Sequence, residues 1–122
     1  MVTTRGPMRG STRRVLAATL AATLAASTTA AHADGSAKAG RAKAKTCEAC
    51  HGLDGVSKIP EAPNLAGQVE AYLVEQLNSF KSGARSNAMM SVIGPTLSPQ
   101  DIADLAAYYS SIEITVGKVP GE

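Results

Sequence analysis

Cys47-Glu48-Ala49-Cys50-His51 places two thiols three positions apart and an imidazole directly after the second. That order is the attachment signature of a covalently bound haem. Cysteines at i and i+3 leave one side of a helical turn together, so both sulfurs can add across the vinyl groups on one edge of a porphyrin. His51 can then bring a ring nitrogen under the plane and bind the iron from the proximal side.

Three other chemistries use a CxxC pair: a zinc half-site, a redox dithiol and a structural disulfide. A zinc site needs further Cys or His at finger-like spacing, and the other histidine, His32, lies in a segment that reads as removable. A thioredoxin-like motif follows a strand in a βαβ pattern, and no such pattern precedes Cys47. A disulfide over so short a loop removes little loop-closure entropy. Haem attachment is therefore the leading reading, with a thiol-disulfide redox protein as the runner-up from another class.

Residues 1–33 read as a cleavable export signal. Arg5, Arg9, Arg13 and Arg14 give a positive n-region, Val15 to Ala26 an apolar stretch, and Ala31-His32-Ala33 a small-x-small cleavage site. The apolar stretch is short for a membrane span. Arg13-Arg14 also fits a twin-arginine signal, but covalent haem attachment to a still-open chain favours the unfolded route, so the pair is read as n-region charge. Cleavage would take four arginines and no acid: twelve basic residues become eight beside ten acidic ones, and the formal charge goes from +2 to −2. The basic balance thus belongs to the precursor and gives no argument for nucleic-acid binding.

The expected mature domain, residues 34–122, is small and carries only Tyr72, Phe80, Tyr108 and Tyr109 as aromatics. A domain of this size needs something to supplement its core, and a large flat apolar cofactor would do so. Ser36 to Thr46 reads as a first helix capped by Ser36, with Gly40 and Ala44 forming a small-residue face for another helix. Gly52 to Gly67 has no period and reads as an irregular loop. Val69 to Lys81 reads as an amphipathic helix, with Val69, Tyr72, Leu73, Leu77 and Phe80 on its stripe and Ser82-Gly83 as its stop. Ser98-Pro99-Gln100-Asp101 opens a last helix whose stripe is Ile102, Leu105, Ala106, Tyr109 and Ile112. Thr115 to Glu122 reads as a tail, and Gly83 to Leu97 as a long loop without regular structure.

That long loop contains Met89 and Met90. A thioether is a soft, neutral ligand that favours ferrous iron, and opposite a histidine it raises the reduction potential. Spacing alone does not choose between the two methionines.

The stretches CEACHG, APNLAGQ, YLVEQLNSFKSGARSNAMM and LSPQDIADLAAYYSS, in this order, cover most of residues 40–112. Together they resemble the class I cytochromes c, in particular the small bacterial periplasmic branch whose two-haem members repeat this domain. The resemblance implies an all-α cytochrome c fold around one haem c and its iron, with the first and last helices crossing where Gly40 meets Tyr108. It implies Met90 as the distal ligand, because Met90 stands seven positions before Leu97, with Met89 as fallback. It implies that the carbonyl of Pro63 accepts the N–H of the proximal imidazole, and it puts Tyr72 and Arg85 near the haem propionates. A single CxxCH departs from the two-haem pattern, so this chain carries one haem.

The functional expectation is a periplasmic single-electron carrier of a respiratory chain, not an enzyme, since an iron held by both His51 and Met90 has no position for substrate. Its partners would be redox proteins: a quinol-oxidising complex or dehydrogenase as donor and a terminal oxidase or reductase as acceptor, with membranes met only through those complexes. The alternative is an electron-transfer subunit held permanently by a periplasmic dehydrogenase. A third reading, an enzyme or gas sensor, would require the methionine to be absent from the iron.

Overall fold

The computed structural model describes residues 34–121, with isolated positions 1, 3 and 6. The expected signal segment, with Arg9, Arg13, Arg14, His32 and the apolar stretch, lies outside the described residues. Among the described residues all regular structure is helical: α1 Ala37–Lys43, α2 Glu48–His51, α3 Glu70–Ser82, α4 Met90–Ile93 and α5 Pro99–Ser110. Two tight 3₁₀ turns, Ala44–Thr46 and Gly94–Thr96, extend α1 and α4. No described helix is long and apolar enough to cross a membrane.

The expected first helix is present, but its last turn tightens into the 3₁₀ form before Cys47. Ser36 caps it, its hydroxyl accepting from the Ala39 amide at 3.3 Å. The last helix begins as its sequence dictates. Ser98 and Asp101 exchange side-chain and backbone hydrogen bonds, a full capping box, with Pro99 in the first turn where its missing N–H costs nothing. Helix α3 runs one residue past its expected end and stops at Gly83 in the left-handed conformation.

The expectation for the long loop fails. Gly83 to Leu97 is not without regular structure: its second half forms α4 and the 3₁₀ turn after it. The four residues of α4 are too few for an apolar period to show, and a single turn is not self-stable. Packing decides here. Gly94 is buried against α3, where a Cβ would come within 2.8 Å of the Phe80 backbone.

The core is built where α1, α3 and α5 meet. Ala44, Leu73, Leu105, Ala106 and Tyr109 form its buried cluster, with Ile102 the largest side chain fully out of water. The α5 stripe is buried as expected through Tyr109, whereas Ile112 lies beyond the helix and packs on the core only partly covered. The α3 stripe divides: Leu73 and Phe80 are buried, but Val69 and Tyr72 are 64% and 45% exposed.

Helices α1 and α5 cross in backbone contact. A Cβ on Gly40 would overlap the carbonyl of Asp104 and come within 2.7 Å of the Tyr108 Cβ, so only glycine permits this approach. Polar bonds lock the crossing. Lys43 Nζ reaches Asp104 Oδ2 at 2.6 Å and Asp101 Oδ1 at 2.7 Å. Asp104 Oδ1 accepts from the Ser36 amide at 2.8 Å and from Gln100 Nε2 at 2.9 Å. The ammonium of Lys43, then the Ser36 amide and Gln100, pull the Asp104 carboxyl down to about 2. Asp101 is held below the usual carboxylate range by Lys43 and by the hydroxyl and amide of Ser98.

Gly40→Ala should lower unfolding stability by about 1–3 kcal/mol through overpacking, while Gly117→Ala, which meets nothing within 4 Å, should stay within about 0.5 kcal/mol. Urea titrations of the haem-loaded protein read both. The depressed acidity of Asp104 also fixes a pH window. Its contribution is complete above the ordinary carboxylate value of 3.8 and is lost as pH falls through about 2. Urea midpoints measured between pH 5 and 2 should therefore fall less steeply in Asp104→Asn than in the parent.

Candidate functional site

The attachment motif sits on a helical turn of its own. Cys47 is the residue before α2, and α2 carries Cys50 and His51, so the two sulfurs and the imidazole leave adjacent positions of one turn. The His51 amide donates to the Cys47 carbonyl at 2.9 Å, which closes that turn. Both cysteines are free thiols of intermediate exposure. Burial pushes the Cys47 thiol up, an effect that the nearby Thr46 hydroxyl opposes. A raised thiol is a poor thiolate, the opposite of what dithiol redox chemistry requires. Among the described residues, no cluster of three or more Cys, His, Asp or Glu is arranged to hold a metal ion in the manner of a zinc site.

His51 is 9% exposed, and its Nδ1 donates to the carbonyl oxygen of Pro63 at 2.9 Å. That bond leaves Nε2 as the nitrogen with a free lone pair, fixes the plane of the ring and strengthens the imidazole as a donor. The loop that brings Pro63 back to α2 has no helix or strand, yet it is closed by hydrogen bonds. The Lys58 amide donates to the Cys50 carbonyl at 2.8 Å, the Leu65 amide to Gly55 at 2.8 Å, and the Ser57 amide to the side chain of Asn64 at 2.8 Å.

Helix α5 supplies the remaining support. Tyr108 donates its hydroxyl to the Leu53 carbonyl at 2.7 Å and Tyr109 donates to the Gly52 carbonyl at 3.2 Å. The two carbonyls directly after His51 are thus held by adjacent tyrosines of a helix more than fifty residues away in sequence. These roles and that of Asn64 escape the sequence reading. A signal for them exists: two successive tyrosines on a largely apolar helix bring two hydroxyls that need partners once buried.

The methionines differ. Met89 is 61% exposed, while Met90, the first residue of α4, is only partly exposed. Of the two side chains expected near propionates, Tyr72 is exposed, and Arg85 stands 4.7 Å over the Phe80 ring while donating to Gln76 Oε1 at 2.6 Å.

These residues fit a covalently held haem. The thiols are unpaired and leave one turn, and the imidazole has one nitrogen committed and the other available. Cys47 also lies at a core edge, with Leu53, Leu65, Leu77 and Leu97, that the protein's own side chains cover only in part. An all-helical domain with this site is a haem-attaching electron-transfer fold. A family model described as Cytochrome c matches residues 36–113, and the chain belongs to that family; its domain binds haem c covalently, with iron at its centre.

Cytochrome c4 of Pseudomonas aeruginosa is 50% identical over 90 residues, which cover 74% of this chain and 45% of that protein. Cytochrome c-554(548) of Halomonas halodenitrificans is 46% identical over 82 residues, covering 65% of this chain and 99% of that smaller protein. The solved structure of reduced recombinant cytochrome c4 from Pseudomonas stutzeri aligns with a TM-score of 0.62 at 43% identity, over 68% of this chain and 48% of that one. The chain therefore spans about half the length of the cytochrome c4 relatives it matches.

Tyr109→Phe should leave the Gly52 carbonyl without its buried partner and cost about 1–3 kcal/mol of unfolding stability. Tyr72→Phe, at an exposed ring, should change it by less than about 0.5 kcal/mol. Chemical denaturation of the two variants makes the comparison.

Proposed function

We propose that this chain is a periplasmic single-electron carrier, exported by residues 1–33, in which Cys47 and Cys50 would hold haem c through thioether bonds and His51 Nε2 and Met90 Sδ would bind its iron. The observation that carries the reading is the His51 Nδ1 bond to Pro63, which leaves a single nitrogen for iron and orients it. When bound, the haem supplies a metal that passes between ferrous and ferric states.

The chain's residues would hold that metal's ligand steady. His51 is held by a backbone carbonyl that no side-chain rotation can withdraw, so its ring keeps one orientation. An iron bound by both His51 and Met90 would have no place for a substrate, which favours electron transfer over catalysis. Met90 is preferred to Met89 because it heads α4 and is partly buried. Docking to redox partners is weak and brief, as turnover demands. The donor is a quinol-oxidising complex or dehydrogenase and the acceptor a terminal oxidase or reductase.

Exported protein from a haem-competent host should carry the mass of one added haem. Carbon monoxide should not bind the reduced parent at neutral pH, should bind Met90→Ala readily, and should leave Met89→Ala unchanged, all read by absorbance. Binding to Met89→Ala alone would reassign the ligand, and a product with no added macrocycle would end the proposal.

A further inference from the structure

The turn that carries the methionines is tied by two polar side chains at its ends. The Asn87 side-chain oxygen Oδ1 accepts from the amides of both Met89, at 3.0 Å, and Met90, at 3.1 Å. In return, the Asn87 amide donates to the Ser91 hydroxyl at 3.0 Å, and the Ser91 amide donates to the Asn87 carbonyl at 2.9 Å. Residues 87 and 91 thus close a ring of four hydrogen bonds around the methionine pair.

Such a ring answers a specific physical problem. A one-turn helix cannot pay its own nucleation cost, and its first amides have no partner within the helix. Downstream, Gly94 anchors the turn against Phe80. Upstream, Asn87 takes the amide of Met90, the first residue of α4, and that of Met89 just before it. Asn87 stands two residues before Met89, the N-cap of α4, and its oxygen accepts from amides two and three residues ahead with the bond pattern of a capping side chain.

We infer that Asn87, braced by Ser91, is a positioning residue for the sixth iron ligand. The inference rests on the reading of Met90 as that ligand. The box holds the Met90 backbone in its helical setting, so that a thioether leaving the metal stays close by and returns before an outside ligand enters. Without the box, the backbone of 87–91 gains freedom while the ligand is off, and the open form becomes more populated.

The test measures entry of an outside ligand: imidazole to the ferric haem-loaded protein and carbon monoxide to the ferrous one, by stopped-flow absorbance. Asn87→Ala should bind either about fivefold faster. Asn87→Asp, whose carboxylate accepts from the same two amides, should return entry to within about twofold of the parent. Ser91→Ala, which removes one bond of the ring, should lie between. Asn78→Ala, at an exposed α3 position whose side-chain Nδ2 donates to the Val74 carbonyl at 2.9 Å, should match the parent. Rescue by Asp separates positioning from a general loss of stability, and Asn87→Ser, with a shorter acceptor, replaces the alanine variant if that one fails to fold.

Parent-like entry in Asn87→Ala, or failure of Asp to restore it, overturns the inference. Met90→Ala is run beside these variants. If it leaves the iron closed, the ligand reading itself is lost and the role of Asn87 with it. If it opens the iron while Asn87→Ala does not, the positioning role alone is refuted.

Discussion

The crossing of α1 and α5 is the contact on which the rest of the domain depends. Its closeness is set by a missing atom, since at Gly40 the backbones approach to a distance no side chain allows. Everything nearby makes use of that proximity. Lys43 can bridge to two carboxylates of α5 only because the helices are so near, and Asp104 can reach back to the amide of Ser36 for the same reason. Asp104 is 3% exposed, yet its carboxylate has an ammonium, an amide and a carboxamide around it. Burial of a charge is tolerable on those terms.

From that crossing the order extends to the attachment turn. Helix α1 tightens into the residues before Cys47, and α5 sends two hydroxyls to the carbonyls after His51. The turn is gripped from both of its ends by the two helices that cross. Its imidazole is then oriented from a third direction by Pro63. An imidazole held in this way keeps one ring orientation, which is what the proposed role of His51 toward iron would ask of it.

Much of this was legible in the residues. The caps at Ser36 and Ser98, the stop at Gly83 and the apolar stripe of α5 are local signals, and local chemistry is what a sequence displays most directly. The close approach at Gly40 followed from two small residues on one face together with a family resemblance. What escaped is non-local or short. Helix α4 exists because Gly94 lets it sit on Phe80, and four residues cannot show a period. The partial exposure of Val69 and Tyr72 was hidden because a stripe says which face is apolar and not what covers it. The bonds of Tyr108, Tyr109 and Asn64 go to backbone carbonyls and amides, which every residue has, so no pairing of side-chain types announces them.

The hydroxyls of α5 and the carboxylate of Asp104 reach partners 55 to 68 residues earlier in the chain. The attachment turn leaves the ribosome among the first parts of the domain, and its braces leave last. A nascent chain that ends before Pro99 has both sulfurs, the imidazole and both methionines, but none of the groups with which α5 steadies them. Until α5 has been made, the carbonyls that follow His51 therefore lack the two hydroxyls that hold them. Closure of the domain around them is a late event in the life of each molecule.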